Sequence, residues 1–591
     1  MAGPQMKDDA VSNLLRRDRF KYSIIAEGVL IGLITGALIS VFRLMLIYAD
    51  QLRDRMTGFA RSGWLAALIC ALIMLAAAAV ITALLSWEPD IAGSGIPQVE
   101  AELMGQKDMC WWRVIIAKTL GCALAIGGGL ALGREGPSIQ LGSMVGKGFS
   151  RAGHRLLTEE RLLITCGAGA GLSAAFGAPL AGASFSLEEL HRNFSAEVLL
   201  STMAASAASD FVAANIFGLT PVFGFEAEHG LPLSQYWAVL LLGIVLGFFG
   251  IVYNRTIAFM QDIFDRAGRA SARLADRIPG ITAFSLTDSK MNVTGEKAAR
   301  LGRLITVFAP AFVLMFFYPA ALGSGSPLVG QISRGEFTLG ALIVLLLIKF
   351  IFSTASFGSG SPGGIFLPLL VLGAVTGGLF TRLLGLAGFD QKYITAMVVV
   401  AMSGYFAAIV RAPVTGVILI TEMTGDFTCL LPLVLTSLIA YLIPELFGVE
   451  PIYTQLFHRS QRGDRNRPTA GATVYGRDWG ALQLGRTSHD RANKRIHSAG
   501  KNSSLLIKDR KTVIDAEVHT GSFMDGRKVR EFGLPLGTLI VSVLREGVEI
   551  IPDGNTILRG GDALEILMME SDILDVETIL DERCRKVSEQ E

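Results

Sequence analysis

"GGGLALGREGPSIQLGS", Gly127 to Ser143, decides how this chain is read. A charged pair, Arg134 and Glu135, interrupts a glycine-rich apolar run that otherwise suits a lipid environment. An ionisable side chain at such a depth is costly and points to a functional site by default. The plainer alternative is that Glu135 neutralises Arg134, but adjacent residues on a helix do not face each other. Glycines also permit close helix packing, so the stretch has to be read with the rest of the chain.

Of the 591 residues, 51% are hydrophobic and only 18% are charged, against about a quarter charged in a soluble globular chain. The deficit is local. Apolar segments fall near 22–49, 63–86, 113–132, 160–190, 196–218, 235–260, 301–321, 337–356, 365–384, 393–424 and 428–448. Several are broken by glycine and proline, and some pieces are shorter than the roughly 20 residues a helix needs to span. Broken helices at membrane depth survive only where the backbone is buried in protein or lines a polar cavity. The expected fold is therefore an all-α polytopic membrane protein with a transport pathway, followed by a small α+β domain.

Residues 1–21 read as a polar N-terminal arm, 22–457 as the membrane domain, 458–502 as a basic flexible linker and 503–591 as the soluble domain. The first twenty residues are too charged for a cleavable signal peptide, so the first span reads as retained. Arg16, Arg17, Arg19 and Lys21 precede it, and the linker is rich in arginine. Basic flanks favour the cytoplasm. Both termini are expected there, in a multi-pass protein of a bacterial inner membrane. The polar stretch 264–300 reads as a further cytoplasmic excursion, which would leave the sequon "NVT" (292–294) unmodified.

Several functions are disfavoured. A net charge of +1 gives no signal for nucleic acid. The cysteines, Cys70, Cys110, Cys122, Cys166, Cys429 and Cys584, are scattered without a CxxC, so neither a disulfide framework nor a metal site is expected. "GSGSPG" (358–363) satisfies GxGxxG but lacks the βαβ setting of a dinucleotide site. With no Walker lysine motif and no nucleophile triad, the chain does not read as an enzyme, and no cofactor is expected.

The membrane domain repeats itself. "KTLGCALAIGGGLALGREGPSIQLGSMVGKGF" (118–149) aligns with "KFIFSTASFGSGSPGGIFLPLLVLGAVTGGLF" (349–380), pairing Lys118 with Lys349, Gly133 with Gly364 and Pro137 with Pro368. "SAAFGAPLAGASFSLEE" (173–189) aligns with "AAIVRAPVTGVILITEM" (407–423), pairing Ala178-Pro179 with Ala412-Pro413 and Glu188 with Glu422. Two halves, roughly 22–218 and 235–457, with breaks at matching places are the best sequence pointer to a transporter's binding site.

Three breaks stand out: "GSGIP" (93–97), "GREGP" (133–137) and "GSGSPGGIFLP" (358–368). In each, glycine lets a ligand approach the backbone and proline can open a helix. A helix N-terminus carries about half a positive charge and free N–H donors. Converging tips would hold an anion without the full cation that would slow its release.

"GSGIP", "GREGP" and "GGIFLP", in this order and spacing, resemble the CLC family of chloride channels and proton-coupled chloride transporters over about residues 20–457. The resemblance implies the CLC fold with an inverted internal repeat, a homodimer, and chloride and protons as substrates. It places the chloride site at Ser94, at the amides of Ile365 and Phe366 and at Tyr453 of "VEPIYTQLF", with Gly95, Ile96 and Gly364 flanking them. Ser94 and the intact Pro137 favour chloride, since nitrate-preferring relatives tend to carry proline in place of Ser94 and the fluoride branch departs from both motifs.

Within the resemblance, Glu135 matches the external gating glutamate, whose carboxylate plugs the anion site and leaves it when protonated. Gly133, Arg134, Gly136 and Pro137 complete that motif. Glu189 matches the internal proton-transfer acid that transporters usually carry and channels usually lack, whereas Glu188, paired with Glu422, reads as structural. Lys118 and Glu100 fit positions that can form a buried ion pair near the proton route, or that can instead stabilise the fold. Gln140 matches a position near the gating glutamate. A proton-coupled chloride antiporter is the expected function. A passive, voltage- or pH-gated chloride channel of the same fold is the first alternative.

In 503–591, "KTVIDAEV", "TLIVSVLRE", "EIIP" and "ALEILMM" read as strands, and "FMDGRKVREF" and "MESDILDVETILDE" as helices. The run "GRKVREFGLPLGTLIVSVLREGVEIIPDGNTILRGGDALEIL" resembles the TrkA C-terminal domain, the C-lobe of RCK regulators. Such domains commonly dimerise and sense small ligands, though an assembly role without a ligand fits equally. The tail suggests a rival of another class, a cation-handling or sensory membrane protein. That rival needs a carbonyl-lined filter such as TVGYG, which the sequence lacks.

Overall fold

A computed structural model describes residues 4–153, 155, 157–191, 196–224, 230–276, 288–464, 511–535, 538–545, 548–550, 552–569, 576, 579–580 and 583–584. Side chains of the N-terminal arm and nearly all of the expected linker lie outside the described residues, as does most of the expected last helix. By contact density the chain divides into two units, Met1–Gly153 with Glu160–Gly476, and Arg477–Glu591 with His154–Glu159.

The first unit is helical. Two long helices open it, α1 (Pro4–Ala60) and α2 (Trp64–Trp87). A broken series follows: α3 (Ile96–Leu103), α4 (Trp111–Gly127), α5 (Glu135–Ala152), α6 (Leu157–Phe176), α7 (Pro179–Phe185), a π turn over Ser186–His191, and α8 (Ala196–Phe217). The second half restates the plan: α9 (Tyr236–Asp276), α10 (Asp288–Phe317), α11 (Ser326–Ser333), α12 (Leu339–Gly358), α13 (Phe366–Gly385), α14 (Ile394–Val410), α15 (Pro413–Thr424) and α16 (Leu430–Leu446). α17 (Ile452–Asp464) closes it.

Among the described residues eight helices are long and apolar enough to cross a membrane. The most enclosed are the windows within 366–385 and 391–410, 78% and 89% buried. These are α13 and α14, which pack on each other at the centre. At the periphery, Gly28, Gly32 and Gly36 of α1 leave no room for a Cβ against the Ser201, Ala205 and Ser209 backbone of α8. This is close packing of the small-residue kind.

The duplication is visible in the backbone. Gly93 and Gly323 have φ of 63° and 61°, and Gly105 and Gly335 have 71° and 69°. Gly133 and Gly364, paired by the sequence repeat, form an antiparallel bridge with N···O distances of 2.7 and 2.8 Å. Equivalent residues that meet antiparallel lie on the axis relating two inverted halves. The helices that leave this bridge, α5 and α13, therefore start tip to tip.

Two boundaries differ from expectation. Residues 160–190 and 393–424 are not single segments. Each breaks before proline, at Gly177–Ala178 and Arg411–Ala412. The polar stretch 264–300 is largely helical, because α9 runs to Asp276 and α10 begins at Asp288, so residues 292–294 lie within a helix. Its composition, rich in Ala and Arg, favours helix over loop.

The second unit contains a four-stranded antiparallel sheet of β1 (Lys511–Glu517), β2 (Leu539–Arg545), β3 (Val548–Ile550) and β4 (Ala563–Met569), in the order β1-β4-β2-β3. Ile540, Val543, Leu564, Ile566 and Met568 face a core shared with Val518, Met524, Phe532 and Leu558. "FMDGRKVREF" does not form the expected helix. Gly526 turns left-handed at φ 80°, Lys528 bridges Ile557, and only Val529–Glu531 make a 3-10 turn. Asp525 fixes the turn by accepting from the Gly521 and Gly560 amides at 2.8 and 2.9 Å.

Candidate functional site

The three breaks converge. The loop before α3 is tied to the loop before α13 by the Gly363 amide, which donates to Gly93 O at 3.0 Å. The Gly133–Gly364 bridge ties the loops before α5 and α13. Gly95 turns with φ 97° to start α3, a conformation only glycine adopts readily. A Cβ on Gly364 would stand 3.1 Å from Gly136 N. Three helix N-termini thus point into one small volume, where their dipoles add.

Glu135 is fully buried in that volume. Its Oε2 accepts from the Leu367 amide at 3.3 Å, so the carboxylate rests on the first turn of α13. It occupies the place an anion takes at a helix tip. Its Oε1 makes no hydrogen bond among the described residues. Among the described residues Arg134 forms no ion pair with it. The guanidinium instead stands over the Phe176 ring, 6.0 Å from the centroid.

Ser94 and Tyr453 are both buried, and Ser94 Oγ and Tyr453 Oη have no hydrogen-bond partner among the described residues. Buried hydroxyls without partners are rare and need a reason. The Ser94 side chain lies against Gly136, whose added Cβ would overlap it. Tyr453, on the first turn of α17, meets Phe185 edge-on at 6.5 Å, and Phe185 meets Phe366 at 6.1 Å. Both Glu189 and Glu135 lie within electrostatic reach of the tyrosine hydroxyl. Ile96, Ile365 and Phe366 are buried at the same tips.

The supporting residues divide. Gln140 donates to Asp90 O at 2.8 Å and packs on Gly95, holding the Ser94 loop against α5. Lys118 is fully buried, but its ammonium donates to the carbonyls of Ile91 and Gly93 at 2.9 and 2.7 Å, in place of the ion pair with Glu100. Lys349 repeats this in the other half, donating to Ala321 O and Gly323 O at 2.9 and 2.7 Å. A feature present in both halves braces the loop. Glu100 is buried on α3.

Glu188 and Glu422 are reciprocal caps. Glu188 accepts from the Val414 and Thr415 amides, at 3.3 and 2.8 Å, at the start of α15. Glu422 accepts from the Leu180 and Ala181 amides, at 3.0 and 2.8 Å, at the start of α7. Each neutralises the free N–H groups opened by its partner's proline break. The neighbouring Glu189 lies in the π turn, is 7% exposed, and belongs to a segment that packs on α3.

Sequence reading missed a fourth break. "GSGSP" (323–327) mirrors "GSGIP" and caps α11 with Gly325 at φ 81°. The near-identity of the two pentapeptides was the available signal. Also missed was the approach to Ser94, a cavity of about 260 Å³ lined by Ser94, Pro97, Gln98, Arg303 and Arg459. Arg459 pairs at its rim with Asp262 and Asp265, at 2.7 and 2.8 Å.

A family model described as voltage gated chloride channel matches residues 76–445, and one described as TrkA-C domain matches 513–581. The H(+)/Cl(-) exchange transporter ClcA of Vibrio cholerae serotype O1 is 32% identical over 479 residues, covering 78% of this chain and 94% of the relative. ClcA of Cronobacter sakazakii is 31% identical over 458 residues, covering 76% and 92%. Among solved structures, a slow cyanobacterial Cl−/H+ antiporter superposes with a TM-score of 0.66 at 29% identity, covering 75% of this chain and 99% of that one. A eukaryotic CLC transporter superposes at 0.57 and 20% identity over 75% of each chain, a likeness of fold.

Proposed function

The chain belongs to the voltage-gated chloride channel family and has its fold, and we propose that it exchanges chloride for protons across a membrane. The observation that carries this is the Glu135 carboxylate seated on the α13 tip, beside the unpartnered hydroxyls of Ser94 and Tyr453. A carboxylate and a halide are both anions that such a tip attracts. Only one can occupy it. Protonation removes the carboxylate's charge and weakens its hold, so chloride enters as a proton binds. Ser94, Tyr453 and the Ile365 and Phe366 amides hold the anion, while Glu189 passes the proton on from the other side.

Glu189 favours exchange over a passive channel, since a channel needs no second buried acid. The protein works as a homodimer in a bacterial inner membrane, with both termini in the cytoplasm. The TrkA-C domain is its regulatory part and binds a small ligand. No step of transport calls for a cofactor or for enzymatic chemistry.

Purified protein in liposomes tests the reading. An imposed chloride gradient should drive protons uphill, and Glu135→Gln should leave chloride flux while coupled proton flux falls below about one-tenth of wild type, as for loss of a positioned acid. Chloride flux that never moves protons in the wild-type protein would establish a passive channel instead. Proton pumping retained by Glu135→Gln would remove Glu135 from its role.

A further inference from the structure

Among the described residues, Arg411 alone combines a side chain beyond Cα with a positive φ, at φ 69° and ψ 27°. A Cβ makes this left-handed conformation costly. The repeat supplies its control. The equivalent corner of the first half, before Ala178-Pro179, is Gly177 with φ 66°. Both corners need the same backbone turn, and in one the strain-free residue is absent. A strained non-glycine persists where its surroundings hold it.

Those surroundings are clear. Arg411 is 8% exposed. Its guanidinium donates to Glu445 Oε2 at 2.6 Å and to Tyr441 O at 3.2 Å on α16, and to Val449 O at 2.8 Å in the link between α16 and α17. It also faces the Tyr441 ring at 5.3 Å. A planar fork can hold several acceptors in fixed directions, which lysine cannot. Four residues beyond Val449 stands Tyr453. The next residue of the link, Glu450, is held through its carbonyl by Asn254 of α9 at 3.3 Å. In the first half the corresponding corner is glycine.

We infer that Arg411 is a positioning residue for transport: it pins the α16–α17 link so that the Tyr453 hydroxyl points at the anion. The inference rests on the reading of Tyr453 as a chloride ligand. The guanidinium contacts Tyr441, Glu445 and Val449, none of them a residue assigned to the anion site. Its effect passes through Val449 to the start of α17.

The test uses the full-length chain, with chloride binding measured by calorimetry in detergent and protons per chloride measured in liposomes. Arg411→Gly, Arg411→Lys, Tyr453→Phe and Arg411→Gly/Tyr453→Phe are compared with wild type. Arg411→Gly is expected to weaken chloride binding about two- to tenfold, the range of one lost hydrogen bond, and to lower the proton-to-chloride ratio. Arg411→Lys should fall between the two. In the Tyr453→Phe background, Arg411→Gly should add less than about a twofold loss, as neighbours acting through one group are non-additive. Wild-type binding and ratio in Arg411→Gly overturn the inference while leaving Tyr453 in place. So does an equal loss in both backgrounds, the mark of a general structural role. Unchanged binding in Tyr453→Phe removes the chloride ligand itself, and the inference falls with it. Should Arg411→Gly not fold, Arg411→Lys decides alike, with wild-type binding counting against the pin.

Discussion

At Gly136 there is no room for a methyl group. Its Cβ would overlap Ser94 Oγ and stand 2.8 Å from Ser94 O. Gly136→Ala is expected to displace the serine hydroxyl and weaken chloride binding by about tenfold, read by calorimetry, with the fold retained. Gly133 is tight for a different reason. Its Cβ would meet Glu135 Oε2 and come within 3.1 Å of Leu367 N. Gly133→Ala should therefore push the carboxylate off the α13 tip, so that chloride still flows in liposomes while fewer protons accompany it. A wild-type ratio in this variant would show that the carboxylate does not need the seat it occupies. Glu189→Gln should abolish proton flux and spare chloride flux.

Between elements, charges are spent on opened helix ends. Glu422 accepts from two amides at the start of α7 and stands apart from the anion site. Glu422→Gln weakens a charged cap by about 1 kcal/mol, so melting in detergent should move to lower temperature while the proton-to-chloride ratio stays at its wild-type value. In the sheet unit, buried Asp562 accepts from Arg545 Nη2 and Nε at 2.6 and 2.8 Å and from the Arg559 amide at 2.8 Å. Burial pulls its carboxyl upward, but Arg545 and the amide outweigh this and hold it below the usual carboxylate range. A carboxyl lowered by folding stabilises above its unfolded pKa, and that contribution fades as pH falls through the folded one. The sheet unit should therefore lose stability below about pH 4, and Asp562→Asn should flatten this acid dependence. Thermal melts of both proteins across that range would show it.

For the whole molecule, every residue assigned to transport lies between Ser94 and Tyr453, within one contact unit. A chain ending at Asp464 is expected to keep the proton-to-chloride ratio in liposomes. Loss of coupling without loss of chloride flux would show that the second unit takes part in the exchange itself. The sequence alone determined the apolar lengths, the positions of the breaks and the duplication. Each follows from local chemistry: hydropathy over about 20 residues, glycine and proline at opened ends, and identities at nearly one offset. The meeting of Gly133 with Gly364 follows from that duplication once the halves are inverted. Only the tertiary structure decided which groups pair. Lys118 found carbonyls rather than Glu100, Glu188 and Glu422 exchanged caps, "FMDGRKVREF" turned rather than coiled, and Arg411 took a glycine's place. The partners of Glu188, Glu422 and Glu135 lie more than 200 residues away in the chain. A local pattern can say that a polar group will be buried, but the group that meets it there is set by how the two halves interlock.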